Sequence, residues 1–229
     1  MGVAGGQKMK PYHIVRPGCM RCSAACPSLV MQVTSSNRWG SDILHATMLA
    51  NFILFQIGWF ACVLGGAYDR PWLGTSIALA IVAWHVGRAP RPRDEMILVL
   101  LSAAIGALAD SLPVAADWVR YASGTVVPGT APVWLVAMWM LFATTLNVSL
   151  RWLRRYPLAA IALGAVGGPL AYWGGARLGA MEFVAPVAGT AAFAIVWAVL
   201  TPLLVRLARR FDGYAPAVVS GVKSQARHA

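Results

Sequence analysis

The stretch ILHATMLANFILFQIGWFACVLGG, from Ile43 to Gly66, runs without a single Asp, Glu, Lys or Arg. About 20 mostly apolar residues suffice to carry a helix through the hydrocarbon layer of a bilayer, so this stretch reads as a transmembrane helix. Five more of comparable length and low charge follow it: Pro71–Gly87, Met96–Leu112, Pro132–Leu150, Pro157–Leu178 and Ala185–Leu207. Lipid offers no partner to an open backbone, so the spans must be helical. The expected fold is all-α: a polytopic membrane protein with a bundle of six transmembrane helices.

Composition agrees, with 59% apolar and 12% charged residues among 229, where a soluble domain carries about 25% charged residues. The net charge of +11 would suggest a polyanion as partner in a soluble protein. Here it sorts by topology instead, and no nucleic acid is expected. Of the 19 basic residues, all but Arg70, Arg120 and Arg177 fall on the N-terminal segment, the second and fourth links and the tail. Basic residues near span ends resist translocation, which places both termini in the cytoplasm. Three regions result: a flexible cytoplasmic leader over 1–41, the six-helix domain over 42–210 and a basic cytoplasmic tail over 211–229.

The leader holds Cys19-x-x-Cys22-x-x-x-Cys26-Pro27, the spacing of the last three cysteines and proline of a bacterial iron–sulfur run. Arg16 stands where the first cysteine belongs, so Cys19, Cys22 and Cys26 would need His13 or a second subunit to complete a metal site. The stronger reading is a translation start at Met31 or Met48, which removes the motif. No other cofactor signature is present.

Polar residues within spans are costly in lipid and face protein or water. An inner layer collects Asn51, His85 and Asn147, with Thr144 and Thr145 beside them. His85 has no intramembrane carboxylate at its own depth, a thin basis for a proton relay. An outer layer collects Asp110, Arg177, Tyr172 and Glu182, joined by Asp117, Trp118, Arg120 and Tyr121. Asp110 and Arg177 reach similar depth and could pair. Trp59, Trp139 and Trp197 sit deeper and read as packing residues.

The fifth span carries Gly164, Gly167, Gly168, Pro169, Gly174, Gly175 and Gly179. Glycines four apart, Gly164 with Gly168 and Gly175 with Gly179, let helices approach closely. A helix broken at Pro169, with Tyr172 lining the opening, is the sharper alternative.

The run Asn51-Phe52-x-x-Phe55-Gln56-x-Gly58-Trp59-Phe60-Ala61-Cys62-Val63, the pair Asp110-Ser111, the opening Ala131-Pro132-x-Trp134 with Trp139 and Phe142, and Gly167-Gly168-Pro169-Leu170-Ala171-Tyr172 carry a family resemblance. Over Met48 to Arg210 the chain resembles small bacterial integral inner-membrane proteins grouped as unknown-function family 2878. The resemblance implies a multi-pass inner-membrane location and an association with enzymes that modify membrane fatty acids. The expected role is therefore that of an accessory or lipid-interacting factor. Its partners would be membrane lipids and a peripheral lipid-modifying enzyme. A small transporter or flippase for an amphiphile is the alternative. An enzyme is the weakest reading, since the four histidines, His13, His45, His85 and His228, are scattered and no paired carboxylates or activated nucleophile stand out.

Overall fold

A computed structural model describes residues 27–215, with their side chains from residue 45 onward. The elements in chain order are α1 (Pro27–Ala67), α2 (Pro71–Arg88), α3 (Pro92–Ala115), β1 (Val119–Tyr121), α4 (Val133–Leu146), a 3-10 turn (Arg151–Arg155), α5 (Pro157–Arg177), β2 (Met181–Phe183) and α6 (Pro186–Arg210). The chain divides into two compact units, Met1–Asp42 and Ile43–Ala229. In the first, α1 begins at Pro27, inside the stretch whose mixed composition shows no helical period. The cysteines of the leader, Cys19, Cys22 and Cys26, lie outside the described residues.

Proline opens α2, α3, α5 and α6 at Pro71, Pro92, Pro157 and Pro186. The first helical turn has no use for the missing N–H, and the ring presets the backbone angle. Four segments are long and apolar enough to cross a membrane: His45–Ala67, Pro92–Ala115, Pro157–Arg177 and Pro186–Arg210. This makes the chain an all-helical membrane protein.

Helix α4 is shorter, 14 residues, or about 21 Å at 1.5 Å per residue. It sits at the centre, against α2, α3 and α6. Nine of its side chains are buried, Trp139 and Leu141 among them. An all-round apolar helix is what a central position requires. Glycines set how closely its neighbours approach. A Cβ on Gly106 of α3 would fall inside the Trp139 indole, and one on Gly74 of α2 would strike the Ala61 carbonyl of α1.

Helix α5 is continuous through Pro169, which corrects the broken-helix alternative. Its glycines divide by face. Gly164 and Gly168 lie against Trp197 of α6, where any Cβ would overlap. Gly175 and Gly179 form no such packing pair: a Cβ on Gly175 meets nothing within 4 Å, and Gly179 follows the helix with φ +88°.

The links after α3 and α5 supply a feature absent from the all-α expectation, an antiparallel ribbon of β1 and β2 with Val119 opposite Phe183, Arg120 opposite Glu182 and Tyr121 opposite Met181. Successive side chains of a strand alternate faces. Val119 and Met181 turn inward while Arg120 and Glu182 are exposed.

Candidate functional site

Helix α3 carries two fully buried carboxyls on one stripe. Glu95, Leu98, Val99, Ser102, Ala103, Gly106 and Asp110 are buried along it, with helical spacing of three and four residues. Fifteen residues separate the carboxyls, a rise of about 22 Å. Each therefore anchors a different end of the bundle.

At the ribbon end, Asp110 accepts hydrogen bonds from the Tyr172 hydroxyl at 2.5 Å and the Trp139 indole N–H at 2.6 Å. Trp139 in turn stacks on Trp197, with centroids 4.4 Å apart and planes 15° apart. Tyr172 stacks on Phe193 at 3.6 Å. The expected Asp110–Arg177 pair is replaced by these neutral donors, and Arg177 is exposed. Rotation about α5 explains the difference. Five residues turn a helix by about 140° beyond a full circle, so Arg177 points away from the face that Tyr172 presents. Glu182 is exposed as well, and Arg120 pairs with Asp117 at 3.0 Å on the surface. Of Asp110, Arg177, Tyr172 and Glu182, only Asp110 and Tyr172 come together.

A cavity of about 470 Å³ opens beside this cluster. Phe52, Phe55, Gln56, Trp59 and Val63 of α1 form one wall, and Leu163, Gly167, Leu170, Tyr172 and Gly175 of α5 form the other. Trp134, Trp139 and Phe142 of α4, with Trp197 and Thr201 of α6, form the floor. Tyr121 and Met181 of the ribbon close one end. Phe52 and Leu170, exposed by 50% and 64%, stand at the mouth. From Leu163 to Gly175 the α5 wall is about 18 Å long. Trp59, Trp139 and Trp197 thus line a cavity as well as packing.

Of the residues that line it, Tyr121, Trp197 and Thr201 each carry a fully buried side-chain polar atom without a hydrogen-bond partner, Oη, Nε1 and Oγ1 respectively. The Trp197 N–H lies close to the Tyr172 hydroxyl but forms no bond of good geometry with it. Burial first, and then the nearby Asp110 carboxyl, push the Tyr121 phenol well above its ordinary range. Tyr121 therefore remains a hydrogen-bond donor.

At the opposite end His85 and Asn147 of the expected inner set come together on a residue outside that set. Glu95 accepts from His85 Nε2 at 2.8 Å and from Asn147 Nδ2 at 2.6 Å. Asn147 also donates to the Phe211 carbonyl at 3.1 Å and accepts from the Arg154 guanidinium. Asp212 receives Arg151 at 2.8 Å and Arg154 at 2.7 Å. Tyr214 donates to the His85 carbonyl at 2.9 Å, and its ring lies 4.8 Å from the imidazole. Burial, with Glu95 opposing ionisation more than Arg88 favours it, leaves the Tyr214 phenol pushed up to about 12. Asn51 belongs to a separate contact, donating to the Thr144 carbonyl at 3.2 Å and accepting from Ser149 at 2.7 Å.

The signal for Glu95 was present in the sequence. Pro92 marks a helix start, and an acidic first turn complements the helix dipole. Starting the third span at Met96 instead put Glu95 in the link. A carboxylate does stand at the depth of His85, contrary to expectation. Its partners leave it enclosed, so this end reads as a structural tie. Among the described residues no group of three His, Cys, Asp or Glu is placed to hold a metal.

Fold and site together define a polytopic α-helical membrane protein with an aromatic, laterally open cavity. Residues 48–203 match the family described as Protein of unknown function (DUF2878), and the chain belongs to that family. No curated protein and no solved structure matches the chain. The runs that carry the family resemblance meet one another: Asp110 meets Tyr172 and Trp139, and Ser111 Oγ accepts the Ala131 N–H at 2.9 Å.

Proposed function

We propose that this protein is a lipid-binding accessory factor of the bacterial inner membrane, which holds the apolar chain of an amphiphile between α1 and α5. The supporting observation is the cavity itself: apolar and aromatic, open past the exposed Phe52 and Leu170, and within the range of about 300–1,000 Å³ typical of ligand sites. A peripheral lipid-modifying enzyme would be its partner at the cytoplasmic face. Exposed Arg88, Arg93, Arg155, Arg206, Arg209 and Arg210 at one end of the bundle suit anionic headgroups or an acidic protein surface. The unbroken course of α5 through Pro169 supports a holding site over a path through opened backbone.

The cavity can be filled without disturbing the helices. A Cβ on Gly175 meets nothing within 4 Å, and one on Gly167 meets only Leu163 Cδ1 at 3.8 Å. Leucine at Gly175 also raises helix propensity by roughly 0.8 kcal/mol. Gly175→Leu is expected to be at least as stable as the wild type in detergent, yet to lose most co-purifying lipid in native mass spectrometry. Equal lipid content in the two proteins would refute the reading.

We further propose that α2 and α4 also cross the bilayer, giving six spans with both termini cytoplasmic. Because α4 is enclosed by other helices, its length need not match the bilayer. The arginines gathered at the Glu95 end support this orientation. A phosphatase reporter fused after Arg227 should be inactive and a fluorescent-protein fusion bright; the reverse pattern would overturn the topology.

A further inference from the structure

We propose that the cavity admits a single hydrocarbon chain, methyl end first, and that Gly175 at its closed end sets the longest chain that fits; this rests on the lipid-binding reading above.

The width of the space decides how many chains it holds. The cavity of about 470 Å³ runs along an α5 wall about 18 Å long, which leaves a mean section of about 26 Å². A methylene group takes about the room of a water molecule in the liquid, roughly 30 Å³. Carbon–carbon bonds of about 1.5 Å laid in a zigzag advance roughly 1.25 Å per carbon. One extended chain therefore has a section of about 24 Å², and the cavity is one chain wide. Its volume corresponds to about 16 carbons and its wall to about 14. The two chains of a diacyl lipid do not fit side by side. No lining residue is charged, as suits hydrocarbon.

The walls meet at one end and part at the other, which fixes the direction of entry. Near the ribbon, a Cβ on Gly174 of α5 would lie 3.4 Å from the Trp59 ring of α1. Val63, Trp134 and Met181, all buried, line that end. The exposed lining residues, Phe52, Leu163 and Leu170, stand further toward the Glu95 end. A headgroup stays outside at these residues, so the methyl end reaches the ribbon.

Gly175 occupies the closed end. Its carbonyl accepts the Ala180 N–H at 3.0 Å, which ties the end of α5 to the residue before β2. Gly175 is itself buried, yet a Cβ on it meets nothing within 4 Å. The empty space beside it is the far end of the cavity, and any side chain there takes the place of the last carbons of the occupant.

The test uses the full chain in glyco-diosgenin, a detergent whose fused rings are wider than one chain. Native mass spectrometry measures binding of lysophosphatidylcholines with saturated chains of about 10 to 20 carbons. The wild type should bind one molecule, tightest at about 14 to 16 carbons and at least tenfold more weakly at 20. Gly175→Leu adds a four-carbon side chain at the closed end and should move the optimum down by about four carbons, so that longer co-purifying chains are lost while short ones still bind. Met181→Ala should move it up by two or three. A diacyl lipid with the same chain, bound equally well, assigns one chain of a bilayer lipid as the occupant; bound at least tenfold more weakly, it assigns a single-chain amphiphile. Both results support the single-chain cavity.

Two chains bound together, or a length preference that neither variant moves, overturns the inference while leaving a lipid site in place. No binding at any length, with co-purifying lipid equal in wild type and Gly175→Leu, overturns the lipid reading as well.

Discussion

Glu95→Ala is expected to destabilise the protein by about 3–5 kcal/mol, because it strips a fully buried site of the acceptor for two buried donors. His85 Nε2 and Asn147 Nδ2 both end on this carboxylate. No water can reach the vacated position cheaply, since Gly213 and the His85 ring close over it. A Cβ on Gly213 would already strike Glu95, so the seal is as tight as backbone allows. Glu95→Gln keeps the shape and one acceptor oxygen, and should cost less, about 1–3 kcal/mol. Thermal unfolding in detergent measures both. A double-mutant cycle with His85→Ala isolates the pair, and additive losses would show that the two side chains do not act together.

The second large effect belongs to Trp139→Ala, expected at about 3–5 kcal/mol from the void alone. Its indole fills the space that Gly106 leaves open, stacks on Trp197 and donates to Asp110. Trp139→Phe separates these roles: a ring remains for packing and the N–H is lost, so about 1.5–3 kcal/mol should follow from a bond to a carboxylate. If the phenylalanine variant melts with the alanine variant, the Asp110 bond outweighs packing. If it melts with the wild type, the bond contributes nothing measurable.

Long-range apolar runs made the helices easy to read, because hydropathy over about 20 residues needs no knowledge of partners. Depth was also legible: His85 and Asn147 do meet at one end, and Asp110 and Tyr172 at the other. Rotation was not. Arg177 shares the depth of Asp110 but turns outward, while Tyr172 turns inward, and no count along the chain reveals which face of α5 meets α3. The cavity was hidden for a related reason. Whether Gly168 and Gly175 pack or stand open depends on Trp197 reaching one and nothing reaching the other. The Glu95 site drew on residues as distant as Asp212 and Tyr214, which a local reading assigns to a basic tail.

That tail segment has a practical bearing on where the protein can be cut. Residues 48–203 carry the family match, yet Phe211, Asp212 and Tyr214 roof the inner end of the bundle by holding Asn147, Arg151, Arg154 and His85. A fragment trimmed to the matched region would leave Glu95 facing water through the gap Gly213 now occupies. The smallest intact folding unit therefore outruns its recognisable sequence, and any excised version should extend at least to Ala215.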